Sequence, residues 1–268
     1  MQLEILQELV EPFTRSAICG VSKDQLIRTF KESYDLNNED ITKLISLCRF
    51  RPKPKTINYK YFYENPIEKK AKKIDYPYTQ LYSYENFLSE KECKELISNI
   101  DKTTRPSTIA NNEDKQITSD YRTSQTADLE FFPAELILNI NEKLEDLMEL
   151  DMLLGEALQA QKYLPGQYYK KHWDFFPPEE TKQHQVYCEW MGQRTWTTMV
   201  YLNDVEEGGE TNFGSLRLKI KPKRGLLLAW NNLYRNGDPN YKTKHEALPP
   251  KSGNKYVITK WWRSWSLL

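Results

Sequence analysis

The chain is short of several things at once. Its 268 residues include only four cysteines and three histidines. Cys19, Cys48, Cys93 and Cys188 are scattered with no CxxC pair. That argues against a cysteine-built zinc site or a disulfide framework, and for a reducing, cytoplasmic compartment. Charge of one sign is missing too: 38 Lys+Arg stand against 38 Asp+Glu. General attraction to nucleic acid or to an anionic membrane is therefore not expected. No long hydrophobic run is present. The most apolar stretch, Gly225 to Trp230, falls far short of the ~20 residues of a membrane span. The start, Met1-Gln2-Leu3-Glu4, has no basic segment and reads as an acidic amphipathic helix, not a signal peptide. No internal repeat is visible.

What is abundant is aromatic. Aromatics make up 13 %, with 17 Tyr and 7 Trp, which excludes a disordered chain. The length suits one large domain, or a smaller one with an appendage. Residues 1–50 read as a small helical region: Ser22 and Gln25 have capping-box spacing, and Ile41, Leu44, Ile45 and Cys48 share one helical face. These helices are expected to cover a face of the main domain, with a docking module as the alternative. Residues 51–78 hold eight Lys/Arg and four Pro and read as an extended basic linker. From 79 to 268 the chain reads as one domain. Ser89 and Glu92 open a helix to about Ile100. Residues 104–130 are polar and loop-like. Leu136, Ile137, Ile140, Leu144 and Leu147 form one helical stripe between Pro133 and Leu150. After Gly155, about seven segments rich in Tyr, Trp, Val, Ile and Thr alternate with Pro/Gly turns. Helices followed by such strands predict an α+β fold, an antiparallel sandwich or jelly roll with helices on one sheet.

With so few histidines, each can be weighed. His172 and Asp174 stand at i and i+2 in a strand-like run, so both side chains address the same face. A third ligand must come from elsewhere, from His184 or His245. Two imidazoles and one carboxylate on one octahedral face suit Fe(II) and leave positions open for a co-substrate and oxygen. Lys255, Val257, Thr259, Trp261 and Arg263 share a strand face. A lysine pointing inward there is costly unless it meets an anion. His184 lies in a polar insertion and reads as a solvated loop residue. Trp196, Trp230, Trp262 and Trp265 read as packing residues, and Asp204 as part of a turn.

A set of short stretches in order carries a family resemblance: Phe87–Cys93, Tyr121–Ser124, Gln161–Asp174, Gly192–Arg194, Tyr201–Asp204, Gly208–Phe213, Lys221-Pro222 with Gly225, His245, and Lys255–Trp261. Residues 80 to 265 resemble the prolyl 4-hydroxylases of the 2-oxoglutarate, Fe(II)-dependent dioxygenase family; the first 75 residues lie outside the likeness. The resemblance implies a double-stranded β-helix. It implies that His172, Asp174 and His245 are the catalytic iron ligands. Lys255 would pair with the distal carboxylate of 2-oxoglutarate, with Tyr163 and Thr211 hydrogen-bonding the same molecule. Tyr169, Arg194 and Trp261 would line the groove for a Pro-containing peptide or protein. The cofactors implied are Fe(II), 2-oxoglutarate and O2, with ascorbate as reductant, and the reaction is hydroxylation of a peptidyl proline with release of succinate and CO2. The Asp174 carboxylate favours hydroxylation over halogenation, and Lys255 argues against the nucleic-acid demethylase branch. The segment 177–184 would belong to a substrate-covering lid. The same chemistry on a free amino acid or another protein side chain is the alternative, and a non-catalytic binding module is a third reading.

Overall fold

A computed structural model describes residues 3–10, 12–13, 23–48, 54–110, 116–117, 120–127, 129, 132–178, 184, 188 and 192–265. Helices span Leu3–Glu8, Lys23–Tyr34, Asn38–Leu47, Tyr59–Tyr63, Glu90–Thr103 and Ala134–Met148. The strands are β1 (Lys72–Lys73), β2 (Leu81–Tyr84), β3 (Thr104–Pro106), β4 (Ile109–Ala110), β5 (Gln116–Ile117), β6 (Gln125–Ala127), β7 (Gln159–Tyr163), β8 (Tyr169–His172), β9 (Arg194–Tyr201), β10 (Thr211–Phe213), β11 (Leu218–Ile220), β12 (Leu227–Asn231), β13 (His245–Ala247) and β14 (Lys255–Arg263). One sheet has eight strands, ordered β1-β2-β12-β9-β14-β7-β6-β3, and a second has four, ordered β11-β10-β13-β8. All pairings in both are antiparallel.

The central strands bury both faces, so alternation separates two cores. Trp196, Val200, Leu227, Ala229, Tyr256, Ile258 and Trp262 face the two long helices, meeting Cys93, Leu96, Ile100, Ile137, Ile140 and Leu144. Tyr163, Met199, Tyr201, Leu228, Trp230 and Val257 face the other way and pack with Phe213 and Leu216 from the second sheet's side. The Glu90–Thr103 helix starts on the expected capping box, in which Ser89 and Glu92 cap each other's backbone N–H. Gly225 turns the chain into β12 at φ +72°, where a Cβ would sit 2.4 Å from the Leu88 carbonyl oxygen. Only glycine suits both that backbone region and that approach.

Three stretches differ from expectation. Within 51–78, the described residues 59–73 are not an extended linker. Phe62 and Ile67 are buried in the main core, the Trp196 indole N–H donates to the Phe62 carbonyl at 2.8 Å, and Lys72–Lys73 pair with β2. The described lysines of this stretch are exposed, while a few apolar residues between them do the folding. The stretch 104–130 holds short strands, and β6 joins the large sheet beside β7. The N-terminal helices bury Leu6, Leu9, Phe13, Phe30, Leu36, Ile41, Leu44 and Cys48 on one another in a cluster that includes no buried residue of the sheets. The capping-box residue Ser22 and most of the 177–184 segment lie outside the described residues. Among the described residues no helix is long and apolar enough to cross a membrane.

Candidate active site

His172 closes β8, and Asp174 follows two residues later. His245 opens β13, and the antiparallel register sets it directly opposite His172. One ligand atom from each of the three lies within 4.8 Å of the others, and among the described residues this is the one such group of possible metal ligands. His184 is not part of it. The His172 and His245 Nε2 atoms stand 3.7 and 3.9 Å from the Asp174 carboxylate oxygens. Each imidazole engages a backbone carbonyl through Nδ1: His172 with Lys170 at 2.8 Å, His245 with Thr243 at 3.0 Å. That contact holds the proton on Nδ1 and frees the Nε2 lone pair for a metal. Two imidazole nitrogens and a carboxylate oxygen, free to converge, fit a divalent first-row ion such as Fe(II).

Sequence reading missed what holds these ligands. The Thr197 hydroxyl on β9 donates to Asp174 Oδ2 at 2.7 Å and accepts from the Asn232 amide at 2.9 Å. Both residues are buried. Burial opposes ionisation of Asp174, but His245, His172, Arg194 and the Thr197 hydroxyl outweigh it and hold the carboxyl below its usual range. Burial, reinforced by His245, pushes His172 down to about 3 and keeps the imidazole neutral.

Lys255 begins β14, opposite Tyr163 of β7. It is 1 % exposed. Among the described residues it has no carboxylate within ion-pair distance; its ammonium lies 5.0 Å from the Tyr163 ring centroid and 5.5 Å from that of Tyr201. Burial pulls its pKa down to about 7, opposed only by the more remote Glu210. Thr211 sits in the same pocket and accepts from the Tyr201 hydroxyl at 2.6 Å. One pocket is lined by Tyr163, Thr211 and Lys255 together with His172, Asp174 and His245. A buried cation lacking an anion, beside hydroxyl groups and a metal triad, is a fitting receptor for a dicarboxylate that also reaches the metal.

Tyr169 and Trp261 line this pocket as well. The Tyr169 ring stacks on His172 with centroids 3.7 Å apart. Arg194 stands behind Trp261, its guanidinium carbon 4.0 Å from the indole centroid. Its fork binds Glu156 at 2.5 and 2.7 Å, and Arg263 reaches the same carboxylate at 2.6 Å. A third nitrogen donates to the Asp174 carbonyl at 3.3 Å. Glu156 was not foreseen, although an inward arginine at the start of a buried strand calls for a counter-charge. Trp196, Trp230, Trp262 and Trp265 are buried, as expected. Trp230 also faces the pocket and sets its ring 5.0 Å from that of His245.

Residues 158–263 match the sequence family described as the 2OG-Fe(II) oxygenase superfamily. This part of the chain belongs to that superfamily. Within it, the chain is similar to prolyl 4-hydroxylase subunit alpha-1 of Gallus gallus, 35 % identical over 147 residues, and of Homo sapiens, 32 % identical over 188 residues. Those matches cover 55 % and 68 % of this chain but only 28 % and 34 % of the relatives' own length. Among solved structures, a Trichoplax adhaerens prolyl hydroxylase in complex with a peptide fragment of the hypoxia inducible factor oxygen degradation domain aligns with a TM-score of 0.50. It covers 69 % of this chain and 83 % of that one at 17 % identity, a likeness of fold. The oxygenase match begins just before β7 and ends with β14, so it contains the triad, Lys255, Tyr169, Arg194 and Trp261. The N-terminal helices lie outside it.

Proposed function

We propose that the chain is a 2-oxoglutarate- and O2-dependent hydroxylase of a peptidyl proline, of the prolyl 4-hydroxylase type. The two facing antiparallel sheets are, in this reading, a double-stranded β-helix with helices on the larger sheet. The observation that carries the proposal is the meeting of His172, Asp174 and His245 in one pocket with Lys255, a buried amine with no carboxylate in ion-pair distance among the described residues.

His172, Asp174 and His245 hold the metal, and Lys255, Tyr163 and Thr211 hold the co-substrate's far carboxylate. With both bound, Fe(II), 2-oxoglutarate and O2 supply the oxidising chemistry that places one oxygen atom in a C–H bond and releases succinate and CO2. The chain's own residues supply position. Thr197 and Asn232 fix the Asp174 carboxylate. The Lys170 and Thr243 carbonyls aim the two imidazoles. Tyr169 and Trp261 flank the space where a proline ring meets the centre, and Arg194, clamped by Glu156, backs the Trp261 face. Burial of Asp174, His245, Thr211 and Lys255 limits access of water to the inner part of the pocket. Ascorbate serves as reductant, and the compartment is the reducing cytoplasm.

The test is incubation of the purified chain with Fe(II), 2-oxoglutarate, ascorbate and Pro-rich peptides, read by mass spectrometry. A mass gain of one oxygen atom on proline, coupled to succinate, is expected. Succinate formation stimulated only by free amino acids would move the substrate to a small molecule. Absence of both products would overturn the assignment.

A further inference from the structure

The three candidate metal ligands are not held in the same way. His172 and His245 stand opposite each other in paired strands. Asp174 lies beyond the end of β8, and residues 173–176 are irregular backbone. Buried N–H and C=O groups of such a segment must find partners outside a strand ladder. Pro177 and Pro178 come next and carry no N–H with which to extend one. Two neighbouring side chains at the start of β9 serve this segment instead. Gln193 Oε1 accepts from the Phe176 N–H at 2.8 Å, and Gln193 Nε2 donates to the Phe176 carbonyl at 2.7 Å. One side-chain amide thus meets both backbone groups of one residue, as an antiparallel partner would. Arg194 donates to the Asp174 carbonyl at 3.3 Å and sets its guanidinium carbon 4.9 Å from the Phe176 ring centroid.

Gln193 is itself anchored. It is 6 % exposed. Its N–H donates to Ser264 Oγ at 3.0 Å, and its carbonyl accepts from the Ser264 N–H at 2.8 Å, just past the end of β14. Gly192 permits that approach: it adopts φ +68°, and a Cβ there would meet Ser264 Oγ at 2.2 Å. The same Oε1 that receives Phe176 also accepts the Arg194 N–H at 3.0 Å, so both of its lone pairs are used. One amide therefore joins the backbone that follows Asp174 to the arginine behind Trp261.

Resting on the metal-centre reading above, we infer that Gln193 is a positioning residue for the Asp174 ligand. It takes the place of a partner strand for the segment that carries the carboxylate, and so sets the third ligand against the two histidines. Thr197 holds an oxygen of the carboxylate; Gln193 holds the backbone from which that side chain hangs. Without the amide, Phe176 loses both of these bonds, and the segment between β8 and Pro177 keeps only the Arg194 contact from this side.

The experiment compares two variants of the full chain. Gln193→Met keeps the length of the side chain and removes the amide. Asn65→Leu is the control, because Asn65 does the same work outside the pocket lining: it is 4 % exposed, accepts from the Ile67 N–H at 2.9 Å and donates to the Met148 carbonyl at 2.7 Å. Both variants should unfold at lower urea. Only Gln193→Met should weaken Zn(II) binding in calorimetric titration, by roughly 10–100-fold. Unchanged Zn(II) affinity in Gln193→Met, or an equal loss in both variants, overturns the inference. Should Gln193→Met fold too poorly to titrate, the wild type decides through amide hydrogen exchange. Linkage is reciprocal: a clamp that favours the metal is favoured by it. The Phe176 amide should exchange at least about tenfold more slowly with Zn(II) bound, and the Ile67 amide should change far less. Equal slowing of the two amides, or none at Phe176, overturns the inference. A wild type that binds no divalent metal sinks the metal-centre reading itself, whereas wild-type binding that Gln193→Met leaves intact sinks the role of Gln193 alone.

Discussion

Lys255 allows a test in which removing a charge strengthens the fold and abolishes a ligand. Its pKa falls from the ordinary 10.5 to about 7 because burial disfavours the ammonium. At about 1.4 kcal/mol for each tenfold change in proton affinity, the charged lysine costs the folded chain up to about 5 kcal/mol below pH 7. The sign follows from proton uptake. Between pH 7 and 10.5 the unfolded chain binds more protons at this residue than the folded one. Stability without ligand therefore rises with pH across that window. Lys255→Met keeps the aliphatic stem and removes the cost. Urea unfolding at pH 7 should find the Met variant more stable by about 2–4 kcal/mol, with the difference vanishing as pH approaches 10.5. A dicarboxylate reverses the ranking. With Mn(II) present and 2-oxoglutarate at a hundred times its dissociation constant, the wild type should gain about 2.7 kcal/mol, and the variant far less. Wild-type affinity for the diacid should itself weaken as pH climbs above 7 and the amine loses its proton. A Met variant less stable than the wild type without diacid, or one that keeps the full diacid response, would refute the reasoning.

Four further outcomes are expected. His172→Ala and His245→Ala should each abolish divalent-metal binding in calorimetric titration. Thr197→Val strips the donor from Asp174 and leaves the buried Asn232 amide unpaired; about 1–3 kcal/mol of stability and roughly 10–100-fold in metal affinity should go. Arg194→Ala should harm peptide hydroxylation while sparing 2-oxoglutarate decarboxylation without substrate, and should destabilise on the order of 3 kcal/mol because Glu156 keeps only Arg263. Gly225→Ala should lower the melting temperature, because the left-handed backbone and the Leu88 carbonyl both oppose a Cβ.

The legible parts of the site were those governed by spacing along one segment. His172 and Asp174 share a face because alternation in a strand is local. Lys255, Val257, Thr259 and Trp261 line one pocket for the same reason. The pairing of His172 with His245 depends on register between distant strands. Spacing left His184 equally open, and it took the ordered family stretches to single out His245. Glu156, Thr197 and Asn232 were not legible at all. Each is an ordinary polar residue whose meaning comes from the neighbour it meets after folding. The linker expectation failed because composition averages over residues. Eight exposed or undescribed basic positions hid Phe62 and Ile67, which bury against the sheet.

β14 explains why so much depends on register. Lys255, Val257, Thr259 and Trp261 face the pocket, and the even residues Tyr256, Ile258, Lys260 and Trp262 face the helices or are buried on that side. Lys255 and Trp261 stand six positions apart on the pocket face, and at ~3.3 Å per residue they lie roughly 20 Å apart. The strand thus fixes the distance from the Lys255 end of the pocket to its Trp261 end. Its register with β7 puts Tyr163 opposite Lys255, and its register with β9 puts Thr197 opposite Trp261. A slip of one residue would turn the whole pocket-facing set towards the helices. Lys260 opposes such a slip from the other face. It is 1 % exposed, and its ammonium donates to the Asn141 side chain at 2.6 Å and to the Glu156 carbonyl at 3.1 Å. That one side chain ties the strand to the Ala134–Met148 helix and to the residue that holds Arg194. The positions of the proposed diacid receptor and the proposed peptide groove are therefore set together, by contacts on the other face of β14.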